Sequence, residues 1–127
     1  DQCGGLPADT LKVIAGGPMM GLALSSMATP VVKATGGVLI INRAHGKVAP
    51  ESNCIRCGRC VEACPIDLMP LRLNELILHD RFDQAEAANA LDCIECGSCS
   101  YVCPAKRELA LSIRMGKREI LKRRKAR

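Results

Sequence analysis

The pattern of apolar and polar residues over the first fifty positions predicts a small β-rich unit. Two short β-branched runs beside glycine pairs, LKVIAGG (11–17) and GGVLII (36–41), predict strands that meet tight turns, and PVVKA (30–34) is a weaker third candidate. The stretch GGPMMG (16–21) predicts a turn whose two methionines pack into a small core. The alternative is that its glycines let the backbone approach a partner or a phosphate closely.

Helix-forming residues dominate the segment 65–92, where β-branched residues are rare. Pro70 suits the first position of one helix, and His79 falls at the end of that helix, where we expect a cap rather than a ligand. A second helix is predicted to follow Asp80 as its N-cap. The predicted apolar faces are Leu73, Leu76 and Ile77 on the first helix and Phe82, Ala85 and Ala88 on the second.

A third helix is predicted near the end of the chain. Its apolar stripe has spacings of four, three and four residues and consists of Leu109, Ile113, Gly116 and Ile120. Basic side chains cover the other faces: Lys106, Arg107, Arg114, Lys117 and Arg118. We expect this helix to pack back on the segment before it, and the final KRRKAR (122–127) to be a frayed, solvated end.

Composition and charge divide the chain into three zones. The net charge of +5 conceals local balances of +2 over 1–50, −5 over 51–104 and +8 over 105–127. Phe82 and Tyr101 are the only aromatic residues, so a chain of 127 residues lacks the large side chains that usually anchor a small core. We predict an α+β fold with a β-rich head at 1–50, a mainly α-helical domain at 51–116 and a basic helical tail at 117–127.

The chain contains no run of about 20 apolar residues, the length that a membrane-spanning helix needs. It opens at Asp1, without a methionine or a signal peptide. We expect it to be a piece of a longer polypeptide.

Eight of the nine cysteines form two runs with one spacing, CIRCGRCVEACP (54–65) and CIECGSCSYVCP (93–104). Each has the form C-x2-C-x2-C-x3-C-P, in which closely spaced thiolates can wrap one face of an iron–sulfur cube. Gly58 and Gly97 allow the chain to turn tightly around the cluster, and Pro65 and Pro104 end the loop and direct the chain away from it. The pattern therefore predicts two [4Fe–4S] clusters.

Disulfides and zinc are the alternatives for these cysteines. Disulfides lack a secretory context, and an i, i+3 rhythm that ends in proline suits them poorly. Zinc favours two C-x2-C pairs set well apart, because four ligands must reach tetrahedral positions. Four cysteines within eleven residues suit a cluster better.

In two-cluster ferredoxins the fourth cysteine of each run binds the other cluster. Carried onto this chain, the pattern assigns Cys54, Cys57, Cys60 and Cys103 to cluster 1, and Cys93, Cys96, Cys99 and Cys64 to cluster 2. Arg56 and Arg59 lie in the first run and Glu95 in the second. We therefore hypothesise that cluster 1 has the higher reduction potential, since a positive neighbour stabilises the added electron. The alternative is that the two arginines are solvent-exposed and that screening leaves them little effect on the potential.

The remaining candidate residues favour a passive role. Cys3 is a lone thiol that we expect to be inert, and His45 is expected in a surface loop. We identify no general base, nucleophile or hydride-transfer site, so electron transfer is the predicted chemistry. A nucleic-acid-binding protein with structural clusters is an alternative, but the basic tail lacks interleaved aromatics for base stacking. The tail could instead rest on anionic lipid or an acidic partner.

The landmarks of this chain together resemble the C subunit of the Rnf (Rsx) electron-transport complex. They are KVIAGGPMMG, PVVKATGGVLII, both cysteine runs, LMP, the PAKREL that follows the second run, and SIRMGKREI. The cysteine runs alone fit many iron–sulfur subunits of redox complexes, which stay open as an alternative. The glycine–methionine stretch upstream narrows the resemblance to this family.

The resemblance implies a function and a location. Rnf complexes are membrane-bound and couple electron flow between ferredoxin and NAD(H) to translocation of Na+ or H+. The C subunit is peripheral, on the cytoplasmic side of the bacterial inner membrane, and contacts other Rnf subunits. The head would be the end of a soluble-ligand-binding β-grasp (SLBB) unit. The FMN and NADH sites of the family would lie in a region upstream of this chain.

Overall fold

The computed structural model of the protein describes residues 4–46 and 49–126. The chain forms two compact units, Asp1–Ala49 and Pro50–Arg127. The first unit contains the strands and the second contains the helices, so the mixed α+β class predicted from the sequence is confirmed. Among the described residues, no helix is both long and apolar enough to cross a membrane.

A three-stranded antiparallel sheet forms the first unit, with strands β1 (Thr10–Ala15), β2 (Leu22–Ala23) and β3 (Val38–Asn42) in the order β2-β1-β3. The central strand pairs Ile14 with Ala23 on one side and with Leu39 on the other. Val13 and Ile14 of β1 are buried. The two stronger strand predictions, 11–17 and 36–41, are therefore confirmed.

Two finer predictions in this unit are wrong. The run PVVKA is not a strand, because Pro30 cannot donate to a ladder and Val32 instead accepts a turn hydrogen bond from Thr35 N at 2.8 Å. The strand beside β1 is β2, which follows the turn at 16–21. That turn is confirmed, but Met19 and Met20 are exposed rather than packed into a core.

The second unit consists of five helices around one core. They are α1 (Arg59–Glu62), α2 (Pro70–Leu78), α3 (Phe82–Ala87), α4 (Ser98–Tyr101) and α5 (Leu109–Ala126), with a 3₁₀ turn at Ala90–Asp92. Its core cluster consists of Leu68, Leu73, Leu76, Ile77, Phe82, Ala85, Ala90, Ile113 and Ile120. The helical hairpin predicted between the cysteine runs is confirmed as α2 and α3, with Pro70 at the start of α2 and His79 as its C-cap.

The start of α3 differs from the prediction. Asp80 is not the N-cap, because it lies in the turn with a φ of 56° and Arg81 occupies the cap position. The buried face of the helix is as predicted at Phe82 and Ala85, while Ala88 is partly buried.

Helix α5 buries Leu109, Ile113, Gly116 and Ile120, which is the predicted apolar stripe. The segment expected to fray from Lys122 onward is instead helical through Ala126. Side-chain contacts explain this difference. Arg123 pairs with Glu119 at 3.0 Å and stacks over the Phe82 ring at 4.3 Å, and Arg124 pairs with Glu86 of α3.

Candidate metal centres

The first cavity of the second unit is lined by four cysteines, Cys54, Cys57, Cys60 and Cys103. Three of them come from the first cysteine run, and Cys103 is the last cysteine of the second run. Leu71 of α2 and Leu109 of α5 also line it. Two segments far apart in the sequence therefore converge on one sulfur-lined space.

The second cavity repeats this arrangement with the runs exchanged. Its cysteines are Cys93, Cys96 and Cys99 from the second run and Cys64 from the first. Ala110 and Ile113 of α5 line it as well. Helix α5 thus contributes to both cavities, as expected from the apolar stripe that follows the second run.

Left-handed backbone at two positions of each loop wraps the chain around its cavity. Gly58 and Gly97 precede α1 and α4 with φ of 80° and 84°, a conformation that glycine adopts without a Cβ penalty. Arg56 and Glu95 are also left-handed, with φ of 53° and 58°. This strain turns their backbone N–H groups toward sulfur: Arg56 N donates to Cys54 Sγ and Glu95 N to Cys93 Sγ, each at 3.4 Å.

The second unit consists of two halves with similar backbone conformations. Equivalent residues are 39 positions apart in the sequence, which is the separation of Cys54 from Cys93. The offset relates the start of α2 at Pro70 to the start of α5 at Leu109. It also relates Asp67 and Lys106, which have φ of 53° and 54°. Each cysteine run and the helix after it are therefore a structural repeat, and the repeats exchange their last cysteines.

The thiols of the two cavities differ in acidity. Burial raises the pKa of Cys60 and of Cys93, and raises that of Cys99 to about 11. The pKa of Cys96 is lowered, chiefly by its hydrogen bond with Ser98 Oγ at 3.4 Å. Burial therefore disfavours the thiolate form at three of these positions, and a positively charged centre bound there would offset this effect.

The chain matches the family model of the 4Fe–4S dicluster domain over residues 53–107. It is 52% identical over 125 residues to the C subunit of the Na(+)-translocating ferredoxin:NAD(+) oxidoreductase complex of Acetobacterium woodii, an alignment that covers 98% of this chain. It is 47% identical over 120 residues, 94% of this chain, to the corresponding proton-translocating subunit of Clostridium ljungdahlii. It is 41% identical over 121 residues, 95% of this chain, to the C subunit of the ion-translocating oxidoreductase complex of Methanosarcina acetivorans.

The chain belongs to the Rnf C-subunit family. It spans 28%, 26% and 27% of the lengths of these three relatives. The matched dicluster domain and its cysteine-rich runs indicate two [4Fe–4S] clusters, as predicted from the spacing.

The donor sets of this Rnf family member fit such clusters. Each cavity presents four thiols, the ligands that iron–sulfur clusters take. Within residues 4–46 and 49–126, no three His, Cys, Asp or Glu side chains converge closely enough to hold a single metal ion.

An ion-pair network that sequence reasoning missed joins α5 to the second cysteine loop of this Rnf family member. Glu95 Oε2 accepts from Arg114 Nε at 2.6 Å, and Glu95 Oε1 lies 3.1 Å from Lys117 Nζ, which also donates to Cys93 O at 2.6 Å. Burial raises the pKa of Glu95, but the hydrogen bonds and charges of Lys117 and Arg114 outweigh it and hold that pKa below its usual value. Glu95 is therefore not the isolated negative charge that the potential hypothesis assumed.

His45 is in an exposed turn of the first unit, as expected, where its Nδ1 lies 2.7 Å from Asn42 Oδ1. Cys3 lies outside the described residues. The residue that sequence reasoning overlooked in the first cavity is Arg107, four positions after Cys103. The 39-residue repeat could have pointed to it, because its counterpart Leu68 is apolar.

Proposed function

We propose that this chain relays single electrons through two [4Fe–4S] clusters as part of an ion-translocating ferredoxin:NAD oxidoreductase complex. Cluster 1 would be held by Cys54, Cys57, Cys60 and Cys103, and cluster 2 by Cys93, Cys96, Cys99 and Cys64. The observation that carries this proposal is the exchange of the last cysteines between the two cavities. Neither cavity has its four thiols without the other run, so the two centres would form one conducting unit.

The residues around each cavity fit this role. When bound, a [4Fe–4S] cluster accepts and releases one electron at a potential set by its surroundings. Backbone N–H groups of Arg56, Leu68 and Glu95 donate to cysteine sulfurs at 3.3 to 3.4 Å. Such donors stabilise negative charge on sulfur and so favour the reduced state.

The wider setting is proposed from the relatives. Their names describe complexes that translocate Na+ or protons and react with ferredoxin and NAD+. We accordingly propose other Rnf subunits as partners, with ferredoxin or NAD(H) as the terminal carriers. We place the protein peripherally on the cytoplasmic side of the inner membrane. The three-stranded antiparallel sheet of the first unit supports the end of an SLBB-type β-grasp unit.

Pairs of cysteine substitutions test the ligand assignment. After anaerobic reconstitution, Cys64→Ala/Cys96→Ala removes two thiols from the second cavity alone, so it should retain half of the iron and sulfide. Cys57→Ala/Cys64→Ala removes one thiol from each cavity and should lose nearly all of both. Iron and sulfide analysis with EPR of the reduced protein measures the outcome.

The two double variants are matched controls for each other, because each lacks two cysteines and Cys64 is substituted in both. The opposite result, in which Cys57→Ala/Cys64→Ala keeps one cluster and Cys64→Ala/Cys96→Ala keeps none, would assign each cluster to a single run. A wild-type protein that binds zinc and no sulfide would reject the electron-relay function itself.

A further inference from the structure

Arg107 has a buried polar atom that the protein leaves without a partner. The side chain lines the first cavity beside Cys54, Cys57, Cys60 and Cys103 and is only 20% exposed. Its Nε is buried and has no hydrogen-bond partner in the part of the chain that the structure describes. A buried donor left unpaired costs about 1–3 kcal/mol, so such atoms normally face a ligand or water.

The far end of the same guanidinium is held in place. Arg107 Nη2 lies 3.5 Å from Glu51 Oε1, and Ser52 N donates to Ala105 O at 3.0 Å, which fixes the segment of Glu51 beside the loop of Arg107. Glu51 is 49% exposed, so solvent screens its charge. The pair therefore orients the guanidinium without cancelling its charge at the cavity.

The repeat provides an internal comparison. An offset of 39 residues relates Arg107 to Leu68, and Leu68 lines the second cavity at the corresponding place. Leu68 is a buried apolar residue of the core and offers neither a side-chain donor nor a charge. The two cavities therefore have equivalent frames but differ at this position between a cationic donor and an aliphatic side chain.

We propose that Arg107 donates its Nε–H to a sulfur atom of cluster 1 and thereby raises the reduction potential of cluster 1 above that of cluster 2. This inference rests on the ligand assignment proposed above. A thiolate-bound cluster carries negative charge that grows on reduction, so a nearby cation and an N–H···S hydrogen bond both favour the reduced form. The first electron to enter the unit would then reside on cluster 1, because its potential is the higher of the two.

The difference in reduction potential between the two clusters thus has a different origin from the one that the sequence suggested. The sequence placed the origin of this difference in Arg56, Arg59 and Glu95. In the structure, Glu95 is paired with Arg114 and Lys117. Arg107 and Leu68 are a second pair of equivalent lining positions that differ in charge, and Arg107 has a buried Nε without a partner in the described part of the chain. A single substitution at Arg107 should therefore remove most of the difference between the clusters.

The test is a potentiometric titration of the complete chain with both clusters loaded, followed by EPR. Arg107→Leu should lower the potential of cluster 1 and leave cluster 2 where it was. Arg107→Lys, which keeps the charge, should retain part of the difference. Arg118→Leu removes an exposed arginine that lines neither cavity and should shift neither potential. A Cys57→Ser variant identifies the EPR signal of cluster 1.

A second measurement separates the hydrogen bond from a structural role. Electron–nuclear double resonance in H₂O and D₂O should show an exchangeable proton coupled to cluster 1 in the wild type that is lost in Arg107→Leu. If the Arg107→Leu protein does not retain iron, Arg107→Gln is the second variant. Glutamine keeps an N–H donor but removes the positive charge, so this variant should still lower the potential of cluster 1.

The outcomes distinguish the two proposals. Fully loaded Arg107→Leu or Arg107→Gln protein with an unchanged cluster 1 potential would overturn the role of Arg107. Equal shifts of both clusters would also overturn it, because they would reflect net charge alone. Failure of the wild-type chain to bind iron and sulfide would instead reject the electron-relay function.

Discussion

Gly116 lies on the buried face of α5 where this helix passes Ile77 of α2. A Cβ added at Gly116 would come within 2.6 Å of Ile77 Cγ1, closer than packed carbons approach. Glycine in a helix interior normally costs about 1 kcal/mol relative to alanine. The sequence therefore accepts a poor helix former so that two helices can lie close together.

We expect Gly116→Ala to lower the free energy of unfolding of the loaded protein. Overpacking a core costs about 1–3 kcal/mol, which the gain in helix propensity only partly offsets. Thermal or denaturant unfolding followed by circular dichroism measures the change. Arg118→Ala, at an exposed position of the same helix, is the control and should change little.

A double-mutant cycle with Ile77→Ala tests the cause. Because Ile77→Ala removes the atoms that a new Cβ would meet, Gly116→Ala should be neutral or stabilising in that background. An equal loss of stability in both backgrounds would show that contact with Ile77 is not the reason for glycine at this position.

Residue identity and spacing predicted the glycines before α1 and α4 and the buried stripe of α5. They could not predict that Arg56 and Glu95 adopt left-handed φ, since both are ordinary L-residues forced there by the loop. Nor could they show the partners of Glu95, because Arg114 and Lys117 become neighbours only when α5 folds back. Local patterns are visible in sequence, whereas pairings between distant segments depend on the fold.

At the scale of elements, α5 both closes the core and holds the second cysteine loop. Lys117 contributes directly, because its Nζ bonds to Cys93 O at 2.6 Å and lies 3.1 Å from Glu95 Oε1. The side chain is only 16% exposed, so water replaces these partners poorly when they are lost. The loop around the second cavity should therefore loosen if this contact is removed.

We expect Lys117→Met to release iron from cluster 2 faster than the wild type when a chelator is added. Methionine keeps the apolar stem but leaves Cys93 O and Glu95 without this donor, at a cost of about 1–3 kcal/mol. The rate of bleaching with chelator, with EPR to identify the surviving cluster, measures the effect. Lys122→Met, at an exposed position of α5, is the matched control. Identical bleaching rates in Lys117→Met and Lys122→Met would contradict a holding role for Lys117.

Element ends were harder to predict than the elements themselves. The apolar pattern of the sequence predicted α2 and the start of α5, because Pro70 marks the first helix and apolar periodicity marks both. It placed the N-cap of α3 at Asp80 and ended α5 too early. The charged run from Lys122 looked solvated in isolation, and only the partners on α3, Phe82 and Glu86, keep it helical.

At the scale of the whole molecule, both cavities belong to the second unit and the sheet belongs to the first. Every residue that lines either cavity belongs to the second unit, Pro50–Arg127, as does every partner of Glu95 and Arg107 named above. The first unit has its own sheet and its own buried residues, Val13 and Ile14.

We therefore expect a shortened chain of residues 50–127 to bind both clusters with the iron and sulfide content, and the EPR spectrum, of the 127-residue protein. The matched control removes the other end. A chain of residues 1–116 keeps all eight run cysteines but lacks Lys117, Ile120 and Arg124, which brace the second loop, the core and α3. This control should bind less iron and unfold at lower temperature. Loss of iron from 50–127, with full loading of 1–116, would mean that the first unit supports the centres and that the end of α5 does not.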